Sequence, residues 1–365
     1  MLDSAVAGNY EATTMRFHTH LLPTYFPETD PPFGAYLRKV LEQVTLAEEL
    51  GWECQWFTEH HFLQYGGPIP NPAVMLAAAA ARTSRIHLGS AISILPLHHP
   101  LEIAESYAMV DALSGGRLEF GIGRGNTLLD YAMYGIDREE SHGRLNEALE
   151  IIRKAWSQER FSHHGEFWHM DDCTLTPRPE QPASGGLPPI WVASLSGSSM
   201  QWAGRSGFNI MTVSHPLPPE KVNAGVAAWR DALRDAGYDR SRYHNKLHFR
   251  VYVHADGAHA REVAEEAIVR YENLQEARHF RGTPAISRQT YDFEGMLAQG
   301  RNIYGSPDDC IMLIQNAQRH FEDFDICSTT FNFGGIPFEE VLASMRLFAA
   351  EVMPAFSSPD ATAAG

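Results

Sequence analysis

The feature that most constrains the fold is a regular alternation of short apolar segments with longer amphipathic ones. Eight segments have the length and apolar content of buried strands, at residues 16–22, 53–58, 86–95, 117–122, 190–193, 209–213, 247–254 and 325–330. Apolar residues recur at helical spacing in the segments between these strands and after the last strand. These segments are 34–50, 73–82, 101–113, 143–158, 198–206, 219–237, 258–277, 308–321 and 338–356. Strands separated by helices pair in parallel through right-handed crossovers. Eight such units in 365 residues predict an α/β fold, a closed (β/α)8 TIM barrel. An open, doubly wound sheet is the alternative.

Two segments are not needed to build a minimal barrel. We expect them to be insertions at the C-terminal face of the strands. Residues 160–186 contain three prolines and predict a hairpin and loop, and 279–304 has few periodic signals and is a candidate lid. We expect one barrel domain over residues 15–356, with flexible tails at 1–14 and 357–365.

Charge and cysteine content exclude several classes of protein. The 29 Lys and Arg residues against 45 Asp and Glu residues give a net charge of −16, which repels nucleic acid. The four cysteines lie far apart, which favours reduced thiols and a cytoplasmic protein. No apolar run reaches the roughly 20 residues that span a bilayer, so we expect a soluble protein with no membrane partner.

Two segments at predicted strand ends carry residues suited to chemistry. Glu59, His60 and His61 follow the second strand, and a histidine there suits proton transfer near neutral pH, although a hydrogen-bonded residue at the rim is an equal alternative. Arg124 lies within a G-x-G-x-G exit from the fourth strand, where glycines allow a ligand to approach the backbone and the guanidinium group can bind an anion.

The fifth strand leads through small hydroxyl residues into a helix. The free N–H groups of that helix could bind a phosphate, although ordinary capping by Ser196 or Ser198 explains the same residues. The apolar segment 89–100 suits either the core or the face of a flat ring.

A metal-dependent barrel hydrolase is a further alternative. The sequence His18-Thr19-His20 ends the first strand, so both imidazoles would point the same way, as in such a metal site. Further ligands are lacking at the later strand ends, and no metal site is predicted.

Taken together, these segments resemble the bacterial luciferase-like family of flavin-dependent monooxygenases and oxidoreductases. The resemblance spans residues 15–356 and rests on AEELG 47–51, EHHF 59–62, ARTSRIHLG 81–89, LPLHHP 95–100, DALSGGR 111–117, GIGRG 121–125 and FNFGG 331–335. It implies a two-component enzyme that takes reduced FMN (FMNH2) as a cosubstrate from a separate flavin reductase. Dioxygen would then form a flavin C4a-peroxide that oxygenates a small organic substrate. A deazaflavin- or NAD(P)H-linked oxidoreductase on the same barrel is the second interpretation, and a homodimer is expected.

The resemblance also assigns roles to individual residues. His60 would be the catalytic histidine, supported by Glu59 and His61, while Ala91 and Ile92 would lie beside the flavin ring at a non-proline cis peptide. The FMN phosphate would be bound by these residues: Arg124, Gly125, Ser194, Leu195 and Ser198. Family luciferases carry a cysteine at the position of Gly123 and an acidic residue at that of Ser194, so light emission is not expected.

Overall fold

The computed structural model describes residues 15–62, 68–181, 187–215, 217–279 and 285–357, with the side chains of 275–279 left undescribed. Tails are predicted at 1–14 and 357–365, and of these residues all but Ser357 lie outside the described residues. Within the described residues, no helix is long and apolar enough to cross a membrane.

Eight parallel strands close into a barrel. The strands of the structure are β1 (Arg16–Leu21), β2 (Cys54–Phe57), β3 (His87–Ser90), β4 (Ser93–Ile94), β5 (Leu118–Gly123), β6 (Phe161–His164), β7 (His169–Cys173), β8 (Ile190–Ala193), β9 (Asn209–Val213), β10 (Asn245–Val253), β11 (Ile303–Gly305) and β12 (Ile326–Thr330). The barrel order is β1-β2-β3-β5-β8-β9-β10-β12, and β12 pairs again with β1. The predicted TIM barrel is confirmed, and the open sheet is excluded by this closure.

Helices connect and surround the strands. They are α1 (Phe33–Leu50), α2 (Pro72–Ala80), α3 (Pro100–Ser114), α4 (Leu128–Tyr134), α5 (Ser141–Ser157), α6 (Gly197–Arg205), α7 (Pro219–Asp235), α8 (Gly257–His279), α9 (Phe293–Ala298), α10 (Pro307–His320) and α11 (Phe338–Leu347). Local capping fixes the first residue of several helices; Ser306 and Asp309, for example, form a reciprocal capping box before α10.

The helix predicted to end at 356 changes to a π turn at Phe348–Val352 and a 3₁₀ turn at Met353–Phe356. Pro354, which has no N–H to continue the helical hydrogen bonds, lies in this last turn.

The two predicted insertions differ in outcome. Residues 160–186 contain the antiparallel hairpin β6–β7, as predicted. The expectation of an irregular segment at 279–304 is wrong for its second half, which contains α9 and the start of β11, with Phe293 and Tyr304 buried in the core. Residues 280–284, including Phe280 of the candidate lid, lie outside the described residues.

Candidate active site

A cavity of about 460 Å³ opens at the C-terminal ends of the barrel strands. Its walls come from the segments that follow β2, β3 and β5 and from β8, α6 and β9. Nine residues selected from the sequence line it: Glu59, His60, Ala91, Ile92, Arg124, Gly125, Ser194, Leu195 and Ser198. His61, the tenth, is buried outside the lining.

One end of the cavity is basic. Arg124 and Arg138 both line it and both donate to the hydroxyl of Ser141, at 3.4 and 2.5 Å. Burial, followed by the charge of Arg138, lowers the pKa of Arg124. His142 also lines this end, and burial together with both arginines lowers its pKa. Burial is the larger cause of both pKa shifts, but the part due to the arginine charges reflects a positive potential that favours a bound anion.

The N-terminus of α6 lies at the same cavity. Ser196 caps the helix by accepting a hydrogen bond from the backbone N–H of Ser199, at 3.3 Å. The Ser194 hydroxyl donates to the carbonyl oxygen of Ser196, at 3.1 Å, which shapes the turn into the helix. Ordinary capping therefore occurs as the sequence allowed, and Ser198 and the positive end of the helix dipole still lie at the cavity.

The middle of the cavity is apolar and closely packed. The Ala91–Ile92 peptide is cis, as the resemblance implies, and Val192 and Met211 line the cavity with these two residues. A Cβ atom added to Gly123 would lie 2.4 Å from Cδ1 of Ile92, so a side chain here would have to displace the tip of Ile92. Gly125 has a φ of +67°, in the left-handed region that glycine tolerates best.

Glu59 is the centre of a buried hydrogen-bond network. Its Oε1 accepts from Nε2 of His61, at 2.9 Å, and from Nε2 of His98, at 2.6 Å, while its Oε2 accepts from the backbone N–H of Ile94, at 3.0 Å. Burial raises the pKa of Glu59, but the hydrogen bonds from His61 and His98 outweigh it, and the net shift is downward. For His98, burial lowers the pKa, but the hydrogen bond and charge of Glu59 give a net upward shift. Through Glu59, the network connects the segment after β2, which carries His60, to the segment after the cis peptide, which carries Ile94 and His98.

Two groups of side chains within the described residues can be considered as metal ligands. Glu59, His61 and His98 offer ligand atoms within 4.8 Å of one another, but their hydrogen bonds with one another already satisfy the carboxylate. His18 and His20 share the inner face of β1, but Nδ1 of His18 accepts from the Trp56 indole at 3.0 Å. The imidazole lone pair at Nδ1 of His18 is thus directed at a protein donor rather than at a shared metal position.

The chain that forms this cavity is similar to known proteins over most of its length. The family described as luciferase-like monooxygenase matches residues 15–320. This chain belongs to the luciferase-like monooxygenase family.

Two similar proteins and one solved structure align with most of the chain. The 4-hydroxyprotoasukamycin monooxygenase of Streptomyces nodosus subsp. asukaensis is 30% identical over 311 residues, 83% of this chain and 82% of the relative. The oxygenase component of the flavin-dependent trigonelline monooxygenase of Acinetobacter baylyi is 27% identical over 342 residues, 87% of this chain and 89% of the relative. A monooxygenase structure from Streptomyces bottropensis has a TM-score of 0.86 and 31% identity, covering 94% of this chain and 100% of that chain. An uncharacterized Sinorhizobium fredii protein is 34% identical over 181 residues, and the alignment spans only half of each chain.

Two groups of residues in this family member are not predicted by its sequence patterns. Arg138 and His142 line the basic end, but both precede the helix that the sequence predicts at 143–158. Lys246, His248 and Arg250 alternate along β10 and are buried. The alternation of polar and apolar residues in K-L-H-F-R was the available signal, since it places all three polar side chains on one face of a strand.

Proposed function

We propose that this protein is the oxygenase component of an FMN-dependent, two-component monooxygenase. It would take reduced FMN from a separate flavin reductase and use dioxygen to oxygenate a small organic substrate. The observation that carries the proposal is a single cavity with a basic, hydroxyl-rich end and an apolar middle, bordered by His60.

The residues at the basic end fit the phosphate of FMN. Neither Arg124 nor Arg138 forms an ion pair with a carboxylate in the described part of the chain, so both charges are available to an anion. Ser194, Ser198 and the N-terminus of α6 add neutral donors. Arginine and N–H donors around a dianion give short, charge-assisted hydrogen bonds. The cavity volume of about 460 Å³ is also within the usual range for a site of this kind.

The apolar middle fits a flat ring. Ala91 and Ile92 would support one side of the isoalloxazine, and Gly123, which packs against Ile92, adds no side chain there. Such walls exclude water from the reacting atoms.

Reduced FMN, when bound, would supply the electrons with which dioxygen is activated. His60 would act as a base or proton relay at the border of the ring. Glu59 would position His60 through its contacts with His61, His98 and Ile94.

A homodimer is part of the proposal. Met109 and Leu113 are four residues apart on α3 and are 53% and 58% exposed, and Val74 on the neighbouring α2 is 63% exposed. Exposed apolar side chains on adjacent helices are typical of an interface. A second copy of this chain would cover them.

Reaction of the reduced complex with dioxygen tests the function. Protein loaded with reduced FMN is mixed with oxygenated buffer in a stopped-flow instrument, and the return of oxidised flavin absorbance is followed. We expect the return to be much slower than for free reduced FMN, because the cavity shields the ring from water. A rate equal to that of the free cofactor would contradict the proposal. Tight binding of a reduced deazaflavin in place of FMN would favour the second interpretation, an oxidoreductase without oxygen insertion.

A further inference from the structure

Beside the candidate flavin cavity, the barrel interior carries a cluster of cationic and imidazole side chains. Across the β9–β10 ladder, Lys246 pairs with Met211 and His248 with Val213, and both partners line the cavity. Residues paired in neighbouring strands share a face, so Lys246 and His248 continue the cavity wall into the barrel. His20 on β1 and His215 after β9 complete what we call the histidine–lysine cluster, namely His20, His215, Lys246 and His248.

The four side chains are close to one another. The Nζ atom of Lys246 lies 3.4 Å from Nδ1 of His20 and 4.2 Å from the centre of the Trp56 ring. The ring centres of His20 and His248 are 4.4 Å apart, and those of His215 and His248 are 6.1 Å apart. His60, at the border of the cavity, is near enough to interact electrostatically with His20.

The charge of the cluster is unbalanced. Lys246 is only 1% exposed, and in the described ranges no carboxylate acts on it or on the three histidines. Arg250, the next inward residue on β10, is already paired with Glu272 at 2.5 Å. Arg301 adds a further positive charge, because it donates to the carbonyl oxygens of Ser214 and His215 rather than to an acid. A buried cation without a counter-ion is costly, and an anion that entered the cluster would offset this cost.

The cluster also contains buried ring nitrogen atoms that have no hydrogen-bond partner among the described residues. When Lys246 is charged, its ammonium group can only donate to Nδ1 of His20, and neutral His20 then carries its proton on Nε2. Nδ1 of His248 is buried without a partner among the described residues, and the same is true of Nδ1 of His215. Buried polar atoms normally have partners, so these atoms are suited to a polar ligand.

We propose that the histidine–lysine cluster binds an oxyanionic group, a carboxylate or sulfonate, of the organic substrate. The substrate's remaining atoms would then extend toward His60 and the flavin. This assignment rests on the proposed function for its role in catalysis, but the binding site itself can be measured without turnover.

Three simple probes of similar shape test the assignment. Protein saturated with oxidised FMN is titrated calorimetrically with benzoate, benzenesulfonate and the neutral benzamide. We expect at least one anion to bind about tenfold more tightly than benzamide, the gain of one charge-assisted contact. The tighter of the two anions identifies the substrate group. Equal affinity for all three probes would overturn the assignment.

Matched variants locate the site. Lys246→Met should abolish the preference for the anion, whereas Lys221→Met, at an exposed lysine on α7, should retain it. His248→Gln should also reduce the preference and replaces Lys246→Met if that variant does not fold. Retention of the preference in both Lys246→Met and His248→Gln would overturn the assignment. Loss of the preference in Arg124→Met alone would also overturn it, because the anion would then occupy the basic end of the cavity.

Separate titrations distinguish this proposal from the proposed function. FMN affinity is measured by fluorescence quenching, and the anion preference is repeated on flavin-free protein. FMN binding without any anion preference contradicts the oxyanion site alone, and the reverse result contradicts the FMN function alone.

Discussion

Arg124 and Arg138 donate hydrogen bonds to the same acceptor, the hydroxyl oxygen of Ser141, at 3.4 and 2.5 Å. Two guanidinium groups that share one neutral acceptor repel each other, and an anion placed between them would relieve this repulsion.

We expect Arg124→Met to weaken FMN binding about 10- to 100-fold, since a hydrogen bond to a charged group contributes about 1.5–3 kcal/mol. Quenching of flavin fluorescence measures the affinity. Riboflavin, which has no phosphate, should bind the variant and the wild type equally, and Arg319→Met, at an exposed arginine on α10, should bind FMN normally. An unchanged FMN affinity in Arg124→Met would remove this arginine from the phosphate site.

His60→Ala should retain FMN affinity but alter the reaction of the reduced complex with dioxygen. Proton transfer by a positioned side chain contributes typically about 10²- to 10⁴-fold to a rate. The stopped-flow return of oxidised flavin measures the effect, with His320→Ala, at an exposed histidine, as the control. The same time course in His60→Ala and wild type would argue that His60 has no part in the chemistry.

Glu59→Gln should destabilise the protein most in mildly acidic solution. Because the pKa of Glu59 is lowered, its contribution is present above the ordinary carboxyl value of 4.5 and is lost as the pH falls through the folded-state value. Because the pKa of His98 is raised, its contribution is present below 6.5 and is lost as the pH rises through the folded-state value. The loss in free energy of unfolding should therefore be greatest between pH 4.5 and pH 6.5. It should reach up to about 3–5 kcal/mol, the cost of breaking a buried ion pair.

Urea denaturation of wild type and Glu59→Gln over this pH range checks the prediction. Glu262→Gln, at an exposed glutamate on α8, should show no such pH dependence. A loss that does not vary with pH would mean that the network contributes through packing alone.

Lys246→Met should stabilise the protein at neutral and lower pH. Burial lowers the pKa of Lys246 from 10.5 to about 7, so the unfolded chain binds more protons between these values and wild-type stability rises with pH there. One pKa unit corresponds to about 1.4 kcal/mol, so the gain below neutrality should be a few kcal/mol and should shrink toward pH 10. Thermal or urea unfolding measures it, and a variant no more stable than Lys221→Met would contradict the prediction.

Charged residues on the exposed face of α3 should prevent dimer formation. We expect the double variant Met109→Lys, Leu113→Glu to sediment as a monomer while the wild type sediments as a dimer, because like surfaces can no longer bury their apolar atoms. Leu128→Glu, at an exposed leucine on α4, is the control and should leave the dimer intact. A monomeric wild type would contradict the proposed homodimer.

The barrel could be predicted from sequence because its strands and helices leave strong local patterns. Predicted and observed strands agree within a few residues, as for 209–213 and β9, since a short buried run between helices has few other structures available. The helices α4 and α9 were missed because seven and six residues are too few to establish a helical period.

Residues that line the candidate cavity could be selected from sequence where the backbone and the side chain both carry a signal. Arg124 was selected because it lies between glycines at a strand end, where backbone approach and positive charge coincide. Arg138 carries no such signal, since its place at the cavity depends on how the segment before α5 folds back. Lys246 was missed because both faces of a barrel strand are buried, and the sequence does not reveal which face meets the axis.

The polar interior near β10 also has an engineering consequence. TIM barrels are usually filled by branched aliphatic residues, which tighten packing at no electrostatic cost. Selection for heat resistance in this chain would therefore favour aliphatic replacements at Lys246 and His248 first, and these replacements would remove the groups available to a substrate. Thermostable variants should be sought on the outer helices, where greater rigidity need not reduce activity.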